Sequence, residues 1–473
     1  MRNSVLATAV AATLALAAPQ AFAQTTGAAS TRAEIQAIQA QMQALAERLN
    51  KLEASNTQLQ AENQQLKSDV ERRDAEIDYL KAQTKDLREE SAVASNEISK
   101  VKGTDWASRI KFKGDFRFRD ENISQERVVA EGDVRDAANQ NRVRLRVRAG
   151  LEAKVTDNTN FVMQLATGGS DPRSSNVTLN DEASRKEIGL DLAYVDWRYM
   201  QGGNLLLGKM KQPFFKPGQS LFFDNDWNPE GIATTIDRGM FFGTLYGWWL
   251  EENFNSNPAN YNEDTFQVGL QAGVKFPLFG GETRVAAHYY DLIGGEGGVP
   301  FYNNNANGNT TVAGTINGAA TQVLAYDYNV LVLSGEMGMT LFDLPFALWA
   351  DYAVNTASDV DANKAWAIGA MLGKASNART WEAGLLYQSL DKDALFAQKI
   401  DSDFGAGISD TEGWGARVGY APVKNFNLMA TYFLNTRTVC GTGNSPNNRE
   451  CGSGIPSYDL DYNRWQLDVN YKF

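Results

Sequence analysis

The spacing of hydrophobic residues changes along the chain and divides it into two parts. Between Thr31 and Val101, apolar residues recur at steps of three and four, and neither Pro nor Gly interrupts them. Such heptad spacing predicts a long α-helix that packs in a coiled coil. From Ile110 onward, apolar and polar residues alternate one by one, which predicts amphipathic β-strands. The change falls near Gly103, a residue type that disfavours continued helix.

The helical part keeps one heptad register for ten repeats. Its a positions are Ile35, Met42, Leu49, Asn56, Asn63, Val70, Ile77, Thr84, Ser91 and Ile98, and its d positions are Ile38, Leu45, Leu52, Leu59, Leu66, Arg73, Leu80, Leu87, Ala94 and Val101. We predict a coiled coil over 32–101, which at 1.5 Å per residue would reach roughly 100 Å. Asn at two a positions favours a dimer and fixes the register at a cost in stability.

The second part, 105–473, repeats the two-residue period to its last residue. In the segment from Ile110 to Asp120, Phe residues share one face with Ile110, while Lys, Arg and Asp residues share the other. The segment from Arg142 to Leu151 places four arginines on one face. We predict sixteen strands, near 110–120, 141–155, 159–167, 189–200, 203–212, 231–239, 240–251, 264–277, 282–292, 325–341, 345–356, 364–374, 379–390, 412–421, 426–438 and 460–473.

The connections between these strands alternate between short and long. Short turns at one end and long loops at the other are typical of an outer-membrane barrel, in which a face of consecutive arginines can line water. The predicted fold is therefore an all-β transmembrane antiparallel barrel of about sixteen strands, preceded by an α-helical coiled coil. An even strand number puts both ends of the barrel on the periplasmic side. Tyr471 and Phe473 end the last strand and form a candidate signal for the barrel-assembly machinery.

The first residues read as a targeting segment. Arg2 precedes an apolar run from Val5 to Ala18, and Ala21-Phe22-Ala23 fits a cleavage site, so we predict a signal peptide over 1–23. The predicted location is the bacterial outer membrane, with the coiled coil in the periplasm. The net charge of −12 argues against nucleic-acid binding. With one His and two Cys, the chain offers few ligands for a metal site, and we expect no metal and no cofactor.

Several stretches resemble the "putative porin" family of outer-membrane proteins. They are IKFKGDFRFRDE, NRVRLRVRAGLEAKVTDN, LATGGSDPRSSNVTLND, IGLDLAYVDWRY, GKMKQPFFKPG and DNDWNPEG, and the resemblance covers about 105–473. It implies a sixteen-stranded porin in outer-membrane lipid with passive uptake of small hydrophilic solutes. Porins are usually trimers, so a homo-oligomer with three copies is favoured by the resemblance, in conflict with the dimer that the a-position Asn residues favour.

The third long loop, about 212–231, is expected to fold inward and narrow the channel. It is rich in Phe, Trp and Pro and carries charges of both signs. We predict that Asp224 and Asp226 lie across the constriction from a set of arginines that we call the basic ladder. Its members are Arg117, Arg119, Arg142, Arg144, Arg146 and Arg148. The opposed charges would create a transverse electric field in the constriction. The alternative is that many of these arginines form a solvated wall far from the narrowest point. The candidate pore residues are Arg117, Arg119, Arg142, Arg144, Arg146, Arg148, Lys209, Lys211, Lys216, Asp224, Asp226 and Glu230.

Two further residue types need an interpretation. Cys440 and Cys451 lie in the last long loop, and an oxidising compartment favours a disulfide between them. His288 should face the lumen, where we expect it to be solvated, because no nucleophile or orienting carboxylate is recognisable as a catalytic partner.

Three other functions compete with a porin. The coiled coil could tether the barrel to peptidoglycan or to a periplasmic protein. A trimeric autotransporter adhesin also joins a coiled coil to a barrel, but it uses only a few strands per chain, and sixteen argue against it. An outer-membrane enzyme would need a catalytic triad, which the sequence does not display.

Overall fold

The computed structural model describes residues 28–100, 107–180, 182–253, 263–440 and 457–473. The predicted signal peptide, Gly103 and Cys451 lie outside the described residues. The chain divides into two compact units, Met1–Gly103 and Thr104–Phe473.

The first unit contains one helix, α1, from Ala28 to Lys100. The apolar a and d side chains that are described lie exposed on this helix, with Ile35 52% and Leu52 70% accessible. Because such a stripe is unfavourable in water, it calls for a partner helix, and the coiled coil stays a prediction. None of the helices in the described part of the chain is long and apolar enough to cross a bilayer.

The second unit is an antiparallel barrel built from sixteen strands among the described residues. They are β1 (Ile110–Ala130), β2 (Gln140–Thr156), β3 (Thr159–Thr167), β4 (Ile188–Met200), β5 (Gly203–Lys209), β6 (Glu230–Arg238), β7 (Phe241–Glu251), β8 (Thr265–Leu278), β9 (Gly281–Ile293), β10 (Asn329–Leu341), β11 (Leu344–Asn355), β12 (Lys364–Gly373), β13 (Thr380–Leu390), β14 (Thr411–Val423), β15 (Phe426–Cys440) and β16 (Ser457–Lys472). All sixteen correspond to predicted strands. The first is longer than predicted, because its end forms a hairpin with the short strand Asp133–Asp136.

Each barrel strand pairs with its sequence neighbours, and the last strand pairs with the first. The β16–β1 pairing runs from Asp115 opposite Lys472 to Gln125 opposite Tyr462. Closure removes the exposed edges that an open sheet would present. At the same seam, Phe473 exchanges backbone hydrogen bonds with Gly114. A Cβ on Gly114 would lie 2.5 Å from the Arg148 carbonyl oxygen and overlap the Phe473 ring, so only glycine fits this position.

Small elements occupy the long connections. The short strand Val177–Thr178 pairs with β2, and a hairpin of Thr311–Ile316 and Ala319–Leu324 lies between β9 and β10. One helical turn, α2, spans Phe301–Asn304. The 3-10 helices are Ala107–Arg109 before β1, and Ala397–Lys399 and Phe404–Ala406 between β13 and β14.

The strand period separates an outward apolar face from an inward polar face. Exposed Leu, Ile and Val side chains on successive strands form the outward face, among them Leu207, Leu245, Leu270, Leu333, Leu385 and Leu467. This is the pattern of a barrel surface that meets lipid. The adjacent tryptophans of β7 obey it, since Trp248 is 1% and Trp249 56% exposed. Because neighbouring residues of a strand point to opposite faces, only one of the two can face outward.

Candidate functional site

The inner wall of the barrel carries a dense set of charges on β1, β2 and β16. Strand pairing places Arg117 opposite Arg146 and Arg119 opposite Arg144. Like charges directly opposite each other destabilise a strand pair, so this wall needs compensating carboxylates. The arginines of the basic ladder lie on the inner wall, and the carboxylates that compensate them come from four parts of the chain: β1, β16, the third loop and the loop over 391–410.

Arg119 is held most tightly. Its Nε and Nη2 donate to the two carboxylate oxygens of Asp468 at 2.6 and 2.9 Å, and its Nη1 donates to Asp403 at 2.8 Å. Two parallel hydrogen bonds from one guanidinium fix its orientation as well as its position. Arg117 donates to the Asn470 amide oxygen at 3.0 Å and lies 3.7 Å from Asp468.

A second centre forms around Glu121, which is 1% exposed. Arg142 and Arg464 both donate to its carboxylate, and the Gln466 amide donates to it at 3.1 Å. Arg144 contacts no carboxylate within 4 Å among the described residues. It donates to the Ser174 hydroxyl at 3.2 Å and to the Asn176 carbonyl oxygen at 3.0 Å. Arg142 and Arg144 are therefore tied to the wall and to the loop over 168–187.

Asp226 meets the ladder by direct contact. Its Oδ1 lies 3.3 Å from Arg148 Nη1 and 3.6 Å from Arg146 Nη1. Its Oδ2 accepts from the Ser175 hydroxyl at 2.8 Å. Burial acts to raise the pKa of Asp226, but the two arginines and Ser175 outweigh it and lower that pKa below 3.8. The loop carboxylate is thus an anion docked on the wall, not one facing it across open water.

Asp224 does not face the ladder, which corrects the sequence prediction for this residue. It is 4% exposed, and its carboxylate accepts from the backbone N–H groups of Asp226 at 2.7 Å and Ser402 at 2.9 Å. Its own N–H donates to the Lys399 carbonyl oxygen at 2.7 Å. Burial and the nearby Asp401 charge raise the pKa of Asp224. Its contacts join the third loop to the loop over 391–410.

The remaining candidate residues lie around the same loop. Lys209 Nζ donates to Glu230 at 2.8 Å and to the Asn228 carbonyl oxygen at 3.1 Å, so these two charges form a pair at the loop base. Lys216 donates to the Asn225 amide oxygen at 2.8 Å. Burial lowers the pKa of Lys216 to about 8, against the opposing effect of Asp224. Lys211 borders a cavity inside the barrel together with Arg146, Arg148 and Asp226.

Three loops fold into the barrel and pack there as one body. They are the segments 210–229, 294–328 and 391–410, and their buried apolar residues form a cluster with the inner wall of β6 to β13 that includes Phe214, Phe222, Phe223, Trp227, Tyr246, Trp248, Tyr290, Tyr328, Phe396 and Phe404. We call this body the loop plug. The expected inward fold of the third loop is observed, but two more loops share the lumen with it.

His288 lies under this plug and is not solvated, contrary to expectation. It is 1% exposed, shares a hydrogen bond of 2.9 Å with the Tyr246 hydroxyl, and its ring centroid lies 4.4 Å from that of Phe214. The inward direction was predictable from strand alternation. The side chains that cover it come from a loop that begins more than seventy positions earlier, and strand alternation does not predict which loop covers a residue.

Two buried cations organise the loop plug. Arg173 donates to the carbonyl oxygens of Ala397 at 3.2 Å and Gly407 at 2.8 Å and to the Asn307 amide oxygen at 3.2 Å. Lys399 donates to the Gln267 amide oxygen, with its ammonium 4.7 Å from the Tyr290 ring centre and 5.2 Å from that of Phe396. Burial strongly lowers the pKa of Lys399.

A cavity of about 670 Å³ lies between the loop plug and the charged wall. Its lining includes Arg117, Arg119, Arg146, Arg148, Lys211 and Asp226 of the candidate residues. Lys209, Lys216 and Glu230 are not part of this lining, nor are Arg142 and Arg144. Asp224 also lines it from the side of the loop plug, so the structure brings seven of the twelve candidates to one cavity.

Several lining residues were not singled out from the sequence. Asp115 bonds Arg148 at 2.7 Å and Arg146 at 2.9 Å, and Asp468 bonds Arg119. Both occupy inward positions of the two-residue period, which was a usable signal. Asp401 and Asp403 gave no comparable signal, because the fold of their loop brings them to the site. Arg417 lies on β14, and its place near the site depends on closure of the barrel.

Residues 131–310 match the family model described as "Putative porin". This match confirms the resemblance seen in the sequence motifs. The closed barrel with an apolar outer face and a charged interior, together with this match, indicates an outer-membrane channel. No curated protein matches the chain.

The chain is also similar to several solved structures at low sequence identity. OprB of Pseudomonas putida has a TM-score of 0.47 at 10% identity, with 78% of this chain and 95% of that chain covered. OmpT of Vibrio cholerae, in a trimer form, has a TM-score of 0.42 at 12% identity, with 77% and 99% covered. OpdQ of Pseudomonas aeruginosa has a TM-score of 0.38 at 12% identity, with 76% and 98% covered.

Proposed function

We propose that the protein is an outer-membrane porin through which small hydrophilic solutes and ions diffuse passively. The observation that carries this proposal is a water-accessible cavity inside a closed barrel, bordered by arginines whose positions are fixed by carboxylates. A lumen with fixed charges discriminates solutes by size and by charge. The loop plug restricts the width, and the wall sets the electrostatic potential.

The candidate residues then divide into two roles. Arg117, Arg119, Arg146, Arg148, Lys211 and Asp226 border the solute path. Arg142, Arg144, Lys209, Lys216 and Glu230 shape it from behind by holding the loops, because their partners are loop atoms or wall carboxylates. Asp224 lines the cavity and also joins two of the loops. No group in this arrangement needs to do chemistry on the solute, so we propose a channel without enzymatic activity.

The wider setting follows from the same proposal. The barrel lies in outer-membrane lipid, its short-turn end and α1 face the periplasm, and Tyr471 and Phe473 guide its assembly by the barrel-assembly machinery. We propose a homo-oligomer, with a trimer favoured. Cys440 ends β15, whereas Cys451 lies outside the described residues, so their disulfide stays a prediction.

A structural tether is the less favoured function. Its support is α1, a helix of 73 residues with an exposed apolar stripe that could bind peptidoglycan or a periplasmic protein as an oligomer. A barrel that serves only as an anchor has no need for a charged internal cavity. The helix is therefore an addition to the channel in this proposal, not a replacement for it.

Single-channel recording of the refolded mature protein in a planar bilayer tests the proposal. We expect stable conductance steps from protein that migrates as a folded, heat-modifiable barrel. Folded protein without steps would contradict the channel and would make the tether the leading function.

A further inference from the structure

The main cavity has more basic than acidic side chains in its lining. Nine are basic, namely Arg117, Arg119, Arg146, Arg148, Arg173, Lys211, Lys374, Arg417 and Lys472, and seven are acidic, namely Asp115, Asp224, Asp226, Glu382, Asp401, Asp403 and Asp468. This excess is opposite in sign to the net charge of the chain, −12. The imbalance is local, and it matters most for a solute inside the barrel.

Most of the carboxylates are engaged by arginines. Asp115 and Asp226 each contact both Arg146 and Arg148, and Asp468 holds Arg119. Asp403 contacts Arg119 and Arg464, and Glu382 contacts Arg417. A carboxylate between two guanidinium groups presents little net negative potential to a passing ion.

The other two carboxylates turn toward backbone. Asp224 accepts the N–H groups of Asp226 and Ser402, and Asp401 accepts those of Asp403 at 2.9 Å and Phe404 at 3.3 Å. Burial raises the pKa of Asp401 to about 6, so this carboxyl loses its charge at mildly acidic pH. Neither carboxylate is well placed to attract a cation from the cavity.

Three lysines of the lining have no such engagement. Among the residues that the structure describes, Lys211, Lys374 and Lys472 have no carboxylate within 4 Å and no side-chain hydrogen bond to protein. Lys211 is half-buried, and the charges of Arg146, Arg148, Asp191 and Asp226 all act on it. Lys374 lies exposed in the turn after β12, and Lys472 lies exposed at the end of β16. An ammonium without a protein partner, near two guanidinium groups, is the natural counter-charge for an anion.

We propose that this channel selects small anions, with carboxylate or phosphate groups as the preferred charge, and that Lys211 is the principal selectivity residue. The inference rests on the proposed porin function and gives its solute class. Anions enter a cavity whose carboxylates are already engaged. They exchange hydration water for the ammonium of Lys211 and the outer edges of the neighbouring arginines. Cations meet an excess of positive charge there and are repelled.

The test is the reversal potential of the reconstituted full-length mature protein in a potassium chloride gradient. We expect a chloride-over-potassium permeability ratio above one, falling toward one in Lys211→Gln. Lys275→Gln is the matched control, because Lys275 pairs with Asp237 on another strand and does not line the cavity. That control should keep the wild-type ratio. Potassium gluconate and potassium phosphate gradients then compare the two anion chemistries.

The outcomes separate the inference from the proposed function. An open channel with a ratio at or below one would overturn anion selection while leaving the porin intact. A Lys211→Gln channel identical to wild type would overturn the role of Lys211. Folded protein with no conductance would overturn the porin, and the inference with it. Asp226→Asn serves as a second variant, because it removes negative charge from the same contact, and it should raise the ratio.

Discussion

At the residue scale, the environment of each charge decides its role more than its position in the sequence does. Asp224 and Asp226 are separated by one residue, yet Asp226 docks on Arg146 and Arg148 and Asp224 is buried against backbone N–H groups. The charged form of the first is stabilised, and that of the second is disfavoured by burial. Asp226 therefore binds the third loop to the barrel wall, whereas Asp224 connects the third loop to the loop over 391–410.

The buried Asp401 makes a pH-dependent prediction. Burial, reinforced by the Asp403 charge, raises its pKa from 3.8 to about 6, while Arg464 opposes the shift. The Asp401 charge in turn raises the pKa of Asp224 and opposes the lowering of the Lys216 pKa by burial. Because the folded protein holds the proton more tightly, the contribution of Asp401 to loop docking is fully present below pH 3.8 and is lost as the pH rises through about 6.

The same titration should alter ion selectivity. Protonation of Asp401 removes a negative charge from the cavity lining, so the chloride-over-potassium ratio should rise between about pH 7.5 and about pH 5. Asp401→Asn should show a smaller rise, and the exposed loop variant Asp361→Asn should titrate like wild type. The measurement is the reversal potential at both pH values. A rise of equal size in all three proteins would contradict the assignment to Asp401.

At the element scale, hydrophobic alternation explains the strands and the buried contacts explain the loops. The β strands pair in register because one face must meet lipid and the other must not, and a shift by one residue would exchange the faces. The loops over 294–328 and 391–410 have no such constraint. They keep their place through the aromatic cluster and through single residues that satisfy several backbone acceptors at once.

Arg173 is the clearest of these residues and gives a prediction for the loop plug. Arg173→Ala leaves three buried acceptors on two loop segments without a donor, at a cost of about 1–3 kcal/mol for each buried orphaned group. The plug should loosen, with larger and noisier conductance steps and faster cleavage of the loops by added protease. The barrel itself should stay heat-modifiable, since its strand ladder is untouched.

Arg173→Lys is the matched control for that experiment. A lysine keeps the charge but presents one nitrogen where arginine presents a planar fork, so it should rescue the loops only in part. If conductance noise and protease sensitivity are the same in wild type and Arg173→Ala, then the plug does not depend on this residue.

At the scale of the whole molecule, the chain contains two units that are stabilised in different ways. The barrel satisfies its backbone hydrogen bonds by closing on itself, whereas α1 satisfies its own and exposes an apolar stripe. Burying that stripe requires other helices. The outer face of the barrel therefore requires a bilayer, and the apolar stripe of α1 requires partner helices.

Deletion of 32–101 tests this separation. We expect the shortened protein to fold into a heat-modifiable barrel with the conductance of the full-length protein, because the solute path lies within the second unit. Chemical cross-linking should yield fewer or smaller oligomers if α1 contributes to association. A shortened protein that no longer forms channels, although it is folded, would show that the helix takes part in conduction.

The sequence alone determined the strand number, the inward face of the basic ladder and the long helix. These properties follow from period-two and heptad spacing, which can be recognised in the sequence without knowing which residues are neighbours in space. It also exposed the porin resemblance, through motifs that lie close together in the chain.

The tertiary structure alone decided which charges are engaged. Arg119 meets Asp403 across 284 positions, and Glu121 meets Arg464 across 343. Closure of the barrel and inward folding of three loops create these pairs, and no local pattern encodes them. Asp224 is a further example, because its carboxylate accepts a hydrogen bond from the Ser402 N–H of a loop 178 positions away instead of contacting the ladder.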